Sequence, residues 1–417
     1  MKAFAKLYWL FSASICNFTN AVIIQGTVPK SLWGKKVVLN GPQGNSQFAF
    51  ISKPGHITSV NLIGEKHVVV SEAFIKPEKE GFNVGDLYNK DFAGIFRKIF
   101  ASKSPSEFFS TGFCNAAVHK YDGKYYALEE TCRPMELEYD ETGKIHCVGL
   151  SKDIERMGAH LIDEHYTRFS YMPPFTAKAP LKYNDTVIPW YPEDRPALIH
   201  DGKITECGNY MIFPLTSLKF GNILEWLSNS KPFPFDIYKK KFRWLLFDYK
   251  NFESKEIYTD IYIDIFHVFK VEKHDHKTLI VYASAYENFW ETSIYIEEPI
   301  LTLHKHIINI EENTVKVEDL KFPIEFANIK DTKLVGNGGG NPPKVTIFDI
   351  KTNTFSKKQI PGKIVEDEII PFEDMLIYYT HEENRSFLYI IDKESTEIIT
   401  KIQVPKRKPG IHTTLLD

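Results

Sequence analysis

"MLIYYTHEENRSFLYIIDKESTEIITKIQV" (375–404) reads as short apolar runs rich in Ile, Leu and Tyr, broken by polar turn sequences such as Glu-Asn. The unit is a short strand, a tight turn and another short strand, with apolar residues in rough alternation. It recurs upstream in "PKVTIFDIKTNTF" (343–355), "EKHDHKTLIVYASAY" (272–286) and "IHDGKITECGNYMIFPL" (199–215). Nearer the start it appears in "HKYDGKYYALEE" (119–130) and "GEKHVVVSEAFI" (64–75). The turns are built on Asp-Gly, Gly-Lys and Asn-Thr, which suit tight reversals between strands. Helical periodicity is scarce. Many short strands spread along 417 residues predict an all-β fold made by radial repetition, a β-propeller, rather than one sandwich. The repeats are too diverged for their spacing to give the number of blades.

The composition agrees with a globular protein that buries a large core: 43% of residues are hydrophobic and 25% charged. A net charge of −3 provides no electrostatic footprint for nucleic acid. The 31 Phe and 21 Tyr favour β structure and apolar binding surfaces. Five cysteines (Cys16, Cys114, Cys132, Cys147 and Cys207) form no CxxC pair, and an odd number is no disulfide framework. A reducing, cytoplasmic compartment is therefore expected. "MKAFAKLYWLFSASICNFTNA" (1–21) has a weakly basic start and a short apolar run, broadly like a signal peptide. Domain-like sequence begins immediately afterwards, at "VIIQGTVPKSLWG", so secretion is the less favoured reading. Residues 1–20 are read as an extension, signal-like or membrane-associating, and 21–417 as a single propeller domain. No stretch reaches the roughly 18 apolar residues of a membrane span.

One segment breaks the β pattern. "DFAGIFRKIFASK" (91–103) places Phe92, Ile95, Phe96, Ile99 and Phe100 on one helical face, with Arg97, Lys98 and Lys103 off or beside it. It reads either as a helix packed on the propeller or as a peripheral membrane patch with basic residues at the headgroups. "VGNGGGNPP" (335–343) lacks both the Lys-Ser/Thr of a phosphate loop and GxGxxG spacing, and is expected to be a surface loop.

Fourteen histidines are present, none in HExxH or Cys/His zinc spacing. In a propeller that test loses its force. The innermost strands converge on one axis, so ligands can come from different blades, one or more repeats apart.

Six fragments, taken in order, resemble the carotenoid cleavage oxygenases, a family that includes stilbene-cleaving enzymes and the retinoid isomerase of the visual cycle. They are "GTVPKSLWGKKVVLNGP" (26–42), "GFCNAAVHKYDGKYYALEE" (112–130), "MGAHLIDE" (157–164), "IHDGKITECGNYMIF" (199–213), "IFHVFKVEK" (265–273) and "VPKRKPGIHTTLLD" (404–417). The resemblance runs nearly end to end. It implies a seven-bladed propeller, with a few short helices covering its top face, and Fe(II) held by His160, His200, His267 and His412. It also implies glutamates accepting the other ring N–H of three ligands, at Glu130, Glu325 and Glu368. Such partners fix the tautomer and raise ligand basicity. Glu366 and Asp367 neighbour Glu368, so its register can slip.

The implied activity is O₂-dependent cleavage of a C=C bond in a carotenoid, apocarotenoid or related polyene, giving two carbonyl products. The alternatives are retinoid-type isomerisation or ester cleavage, and a non-catalytic propeller that binds lipid or a partner. Departures from the family pattern touch the pocket more than the ligands: Leu39, Ala116, Leu161, Gly202, and the extra Cys207 and Gly208. Glu129 stands where stilbene-cleaving members commonly carry a lysine, which favours an apolar substrate over a phenolic one.

Overall fold

In the computed structural model the described residues are 22–43, 53–76, 113–129, 133–154, 157–158, 160, 169–171, 181–184, 186–190, 199–205, 209–220, 235–237, 241–287, 300–338, 342–363, 365, 367–407 and 410–417. The segment 92–100, residues 1–20, Glu130, Leu161, Cys207 and Gly208 lie outside them. Among the described residues the secondary structure is almost wholly β, the one helical element being the 3-10 turn Lys30–Leu32. They form seven sheets of three to five strands, with one further two-stranded ribbon, Leu218–Phe220 with Phe235–Ile237.

The chain groups into two compact units. The first comprises Met1–Asn83, Phe100–Glu155 and Phe326–Asp417. It contains the sheet built from the 375–404 stretch, in which Met375–His381, Ser386–Asp392 and Ile398–Val404 follow one another antiparallel. All seven residues of Met375–His381 are buried, which explains the continuous apolar run there in place of strict alternation. In outer strands such as Thr354–Gln359 the exposed residues dominate. The Asp122–Gly123 turn has both residues at positive φ (47° and 76°), as a two-residue hairpin joining twisted strands requires.

Two strand exchanges distinguish this unit. Val22–Gly26, from the beginning of the described chain, pairs with Ile398–Val404. His412–Leu416 in turn pairs with Lys36–Pro42, with Asn40 opposite His412. Each of the two sheets is thus completed by a strand from the far end of the sequence. The apolar faces of these two sheets share one core, which includes Val37, Leu39, Val60, Tyr379, Leu388 and Ile390.

The second unit comprises Val84–Ile99 and Arg156–Glu325. Its largest sheet runs Asp264–Lys273, Thr278–Glu287, Ile300–Asn309 and Thr314–Asp319. It shares a core with the neighbouring sheet through Trp244, Leu246, Ile257, Leu279 and Ile308. The glycine-rich stretch at 335–343 departs from the loop expectation at its start. Val335, Gly336 and Asn337 belong to the strand Lys333–Asn337 and pair with Ile347, Thr346 and Val345. The buried strand Lys344–Asp349 beside it imposes the ladder on Gly336 and Asn337, residues of weak intrinsic β preference.

Candidate metal centre

In the second unit, three of the sequence-nominated histidines come together. His160 Nε2 lies 3.2 Å from His200 Nε2, which lies 3.2 Å from His267 Nε2. The rings meet edge to face, with centroids 4.8–5.0 Å apart. Different local devices aim them. His200 is carried on the segment after the buried Ile199, just before the strand Lys203–Ile204. His267 sits within Asp264–Lys273, where the pairing with Thr278–Glu287 shifts register on both sides of Val268. Such bulges re-aim side chains that regular alternation would send elsewhere.

The back of His267 is held by a carboxylate. Its Nδ1 meets Glu325 Oε1, and both residues are buried. The second oxygen of Glu325 accepts a hydrogen bond from Tyr286 Oη at 2.5 Å. Burial and the neighbouring carboxylate push the Tyr286 hydroxyl well above its usual range, so it stays protonated and donates. With its Nδ1 proton given to Glu325, His267 presents a lone pair at Nε2. The same tautomer at His200 would set two lone pairs 3.2 Å apart, an arrangement that a shared cation turns from repulsion into ligation. Imidazoles bound about 2.1 Å from a metal at right angles place their nitrogens about 3 Å apart, so the donor set fits a transition-metal ion.

His412 belongs to the first unit and has a carboxylate beside its Nδ1. It is 2% exposed, and its Nδ1 lies 3.4 Å from Glu368 Oε2, an oxygen that accepts from the Thr413 N–H at 3.1 Å. Asp367 faces elsewhere, with its Oδ2 2.6 Å from His381 Nε2. The ring of Phe326 meets His412 edge-on at 5.4 Å. Entry into this strand is set by close backbone contact. A Cβ on Gly410 would stand 2.3 Å from Leu39 Cδ1 and 2.6 Å from Asn40 O, and the Ile411 N–H donates to Asn40 O at 2.8 Å. The Pro-Gly of the terminal motif is therefore a steric requirement at its glycine.

Several departures from the family pattern have a structural counterpart. Leu39 is fully buried, and Arg407 donates its Nη1 to Leu39 O and Thr58 Oγ1, both at 2.9 Å. A Cβ at Gly202 would approach the Phe213 ring to 2.5 Å, so Phe213 occupies the space into which a side chain at 202 would project. Glu129 and Ala116 are both buried. Sequence reasoning did not single out Tyr286, Phe326 or Asp201. Tyr286 looks like any strand aromatic, and Asp201-Gly202 looks like a turn.

A propeller-type β fold that presents imidazoles with carboxylates beside them has the donor set of a metal centre, which leaves the class of protein open. The comparisons narrow it. The family model described as retinal pigment epithelial membrane protein matches residues 18–337, and the chain belongs to that family. An apocarotenoid oxygenase variant from Synechocystis superposes with a TM-score of 0.71 at 15% identity, over 97% of this chain and 96% of that one. The cobalt-substituted form of the Synechocystis enzyme does so with a TM-score of 0.71 at 16% identity, over 97% and 96%. A lignostilbene dioxygenase from Pseudomonas brassicacearum gives a TM-score of 0.71 at 15% identity, over 96% and 95%. No curated protein sequence matches. The fold is thus of the propeller type of these structures, nearly all-β as the sequence predicts.

Proposed function

We propose that the protein is an Fe(II)-dependent dioxygenase that cleaves a C=C bond of an apolar polyene, a carotenoid or apocarotenoid, into two carbonyl products. One ion would be held by His160, His200, His267 and His412, the four candidate ligands. The observation that carries this reading is the convergence of three Nε2 atoms at 3.2 Å spacings, with His267 locked from behind by Glu325. An all-imidazole set would leave the ion its full positive charge, and Fe(II) held by these residues would supply the activation of O₂. The protein's own part is to hold geometry. Glu325 would hold His267, and Glu368 would hold His412, each with Nε2 as the ligand atom. Tyr286 keeps Glu325 in place, and the ring of Phe266, 5.6 Å from that of His200, packs an apolar edge against the cluster. No side chain is assigned as general acid or base. Positioning of the polyene beside the metal would carry the barrier reduction. Glu129, where a lysine could engage a phenol, supports an apolar substrate.

Purified protein should contain about one iron per chain, and His267→Ala should lose it. Incubation with carotenoid and apocarotenoid under ¹⁸O₂ should place label in the aldehyde or ketone products. Products without label would instead indicate isomerisation or ester cleavage, and a folded protein that cannot be loaded with Fe(II) would indicate a non-catalytic propeller.

A further inference from the structure

We propose that Asp201 is a positioning residue that sets the separation of His200 and His267, an inference that rests on the metal-centre reading above. Asp201 is 1% exposed, and both of its oxygens are engaged. Oδ1 accepts from the Gly202 N–H at 2.7 Å and lies 3.5 Å from Lys203 Nζ. Oδ2 accepts from the Val268 N–H, also at 2.7 Å.

The placement of these bonds gives them their meaning. Asp201 directly follows His200, and Val268 directly follows His267. One charge-assisted hydrogen bond therefore ties the two ligand-bearing backbones together, a single residue away from each ligand. Val268 is also the residue between the two register shifts of its strand. A bulge leaves a strand free to aim its side chains in more than one direction, because the ladder no longer dictates them. A fixed acceptor from outside the strand removes that freedom. Its partner loop is rigid in turn, since Gly202 is bound to the same carboxylate and pressed against Phe213. Short bonds of this kind to an ionised acceptor are about twice as strong as neutral ones.

Asp201→Asn and Asp201→Ala test this. The asparagine keeps the size and one acceptor, but it must set an NH₂ group against one of the two backbone N–H donors. Metal-stripped full-length wild type and variants are titrated with cobalt(II) chloride, read by the visible ligand-field bands. Amide hydrogen exchange at Val268 is followed without metal. Both variants should bind Co(II) roughly 10–100-fold more weakly, with shifted bands, while far-UV circular dichroism is unchanged. Val268 should exchange at least about tenfold faster in Asp201→Asn. Wild-type affinity and an unshifted spectrum in Asp201→Asn would overturn the proposal, as would unchanged exchange at Val268. A wild type that binds no Co(II) while Val268 still exchanges faster in the variant would overturn the metal reading and leave the backbone tie standing.

Discussion

Replacing Glu325 by glutamine asks whether the carboxylate behind His267 sets its ligand state. Glu325 receives two donors, His267 Nδ1–H on one oxygen and Tyr286 O–H on the other. A glutamine has one oxygen for these two donors. If that oxygen faces His267, the NH₂ group must face Tyr286, whose hydroxyl can rotate to accept. If the amide turns the other way, its NH₂ donates to Nδ1 and drives the imidazole proton onto Nε2, where a metal would bind. Either arrangement removes a full negative charge from the imidazole, and the second blocks ligation outright. Losses of about 10–100-fold in metal affinity are typical for such partners, equivalent to roughly 1.4–2.7 kcal/mol. Anaerobic competition between the protein and a chelator for Fe(II) measures this directly. Tyr286→Phe is the internal control. It leaves the Glu325–His267 pair intact, so it should change affinity by less than about tenfold. Its cost should fall on folding instead, at about 1.5–3 kcal/mol for a lost bond to a charged group. An Fe(II) dissociation constant for Glu325→Gln within twofold of wild type would refute the claim that the carboxylate governs the ligand.

Two further outcomes concern the frame around the site. His306 is fully buried, accepts from Trp244 Nε1–H at 3.1 Å, and is pushed down to about 3, first by burial and then by the nearby His304. The folded state thus refuses a proton that the unfolded chain takes up near 6.5, so its contribution is complete above that pH and declines as pH falls towards 3. The slope is at most about 1.4 kcal/mol per pH unit; urea unfolding at pH 7 and pH 4 should show a smaller loss for His306→Gln than for wild type, and parallel losses would refute the assignment. Gly410→Ala forces a Cβ against Asn40 O, and overpacking of this kind costs about 1–3 kcal/mol. Thermal unfolding should fall and bound iron should drop with it; unchanged values of both would show that the strand entry tolerates a side chain.

The strands were legible because alternation and turn chemistry are local properties. The run 375–404 shows this well, its segments and turns falling where the pattern puts them. The histidine set was not legible in that way. His160, His200, His267 and His412 are separated by 40, 67 and 145 residues, so only resemblance to a family, not spacing, picks them out. Carboxylate registers were ambiguous for a physical reason. Asp367 and Glu368 are chemically alike in sequence, yet neighbours in a chain face different ways, one against His381 and the other against His412. Asp201 was hidden for the opposite reason, because an Asp-Gly pair satisfies the ordinary signature of a turn. Its partner, the Val268 amide, has no sequence signal at all.

The reciprocal strand exchange in the first unit bears on how the protein is made. Lys36–Pro42 leaves the ribosome long before its partner His412–Leu416, and Val22–Gly26 must likewise wait for Ile398–Val404. During vectorial synthesis both early strands therefore keep an unpaired edge, which is a template for wrong pairing until the late strands arrive. His412 is carried on one of these late strands, so the pairing that completes its sheet also brings in the fourth proposed ligand.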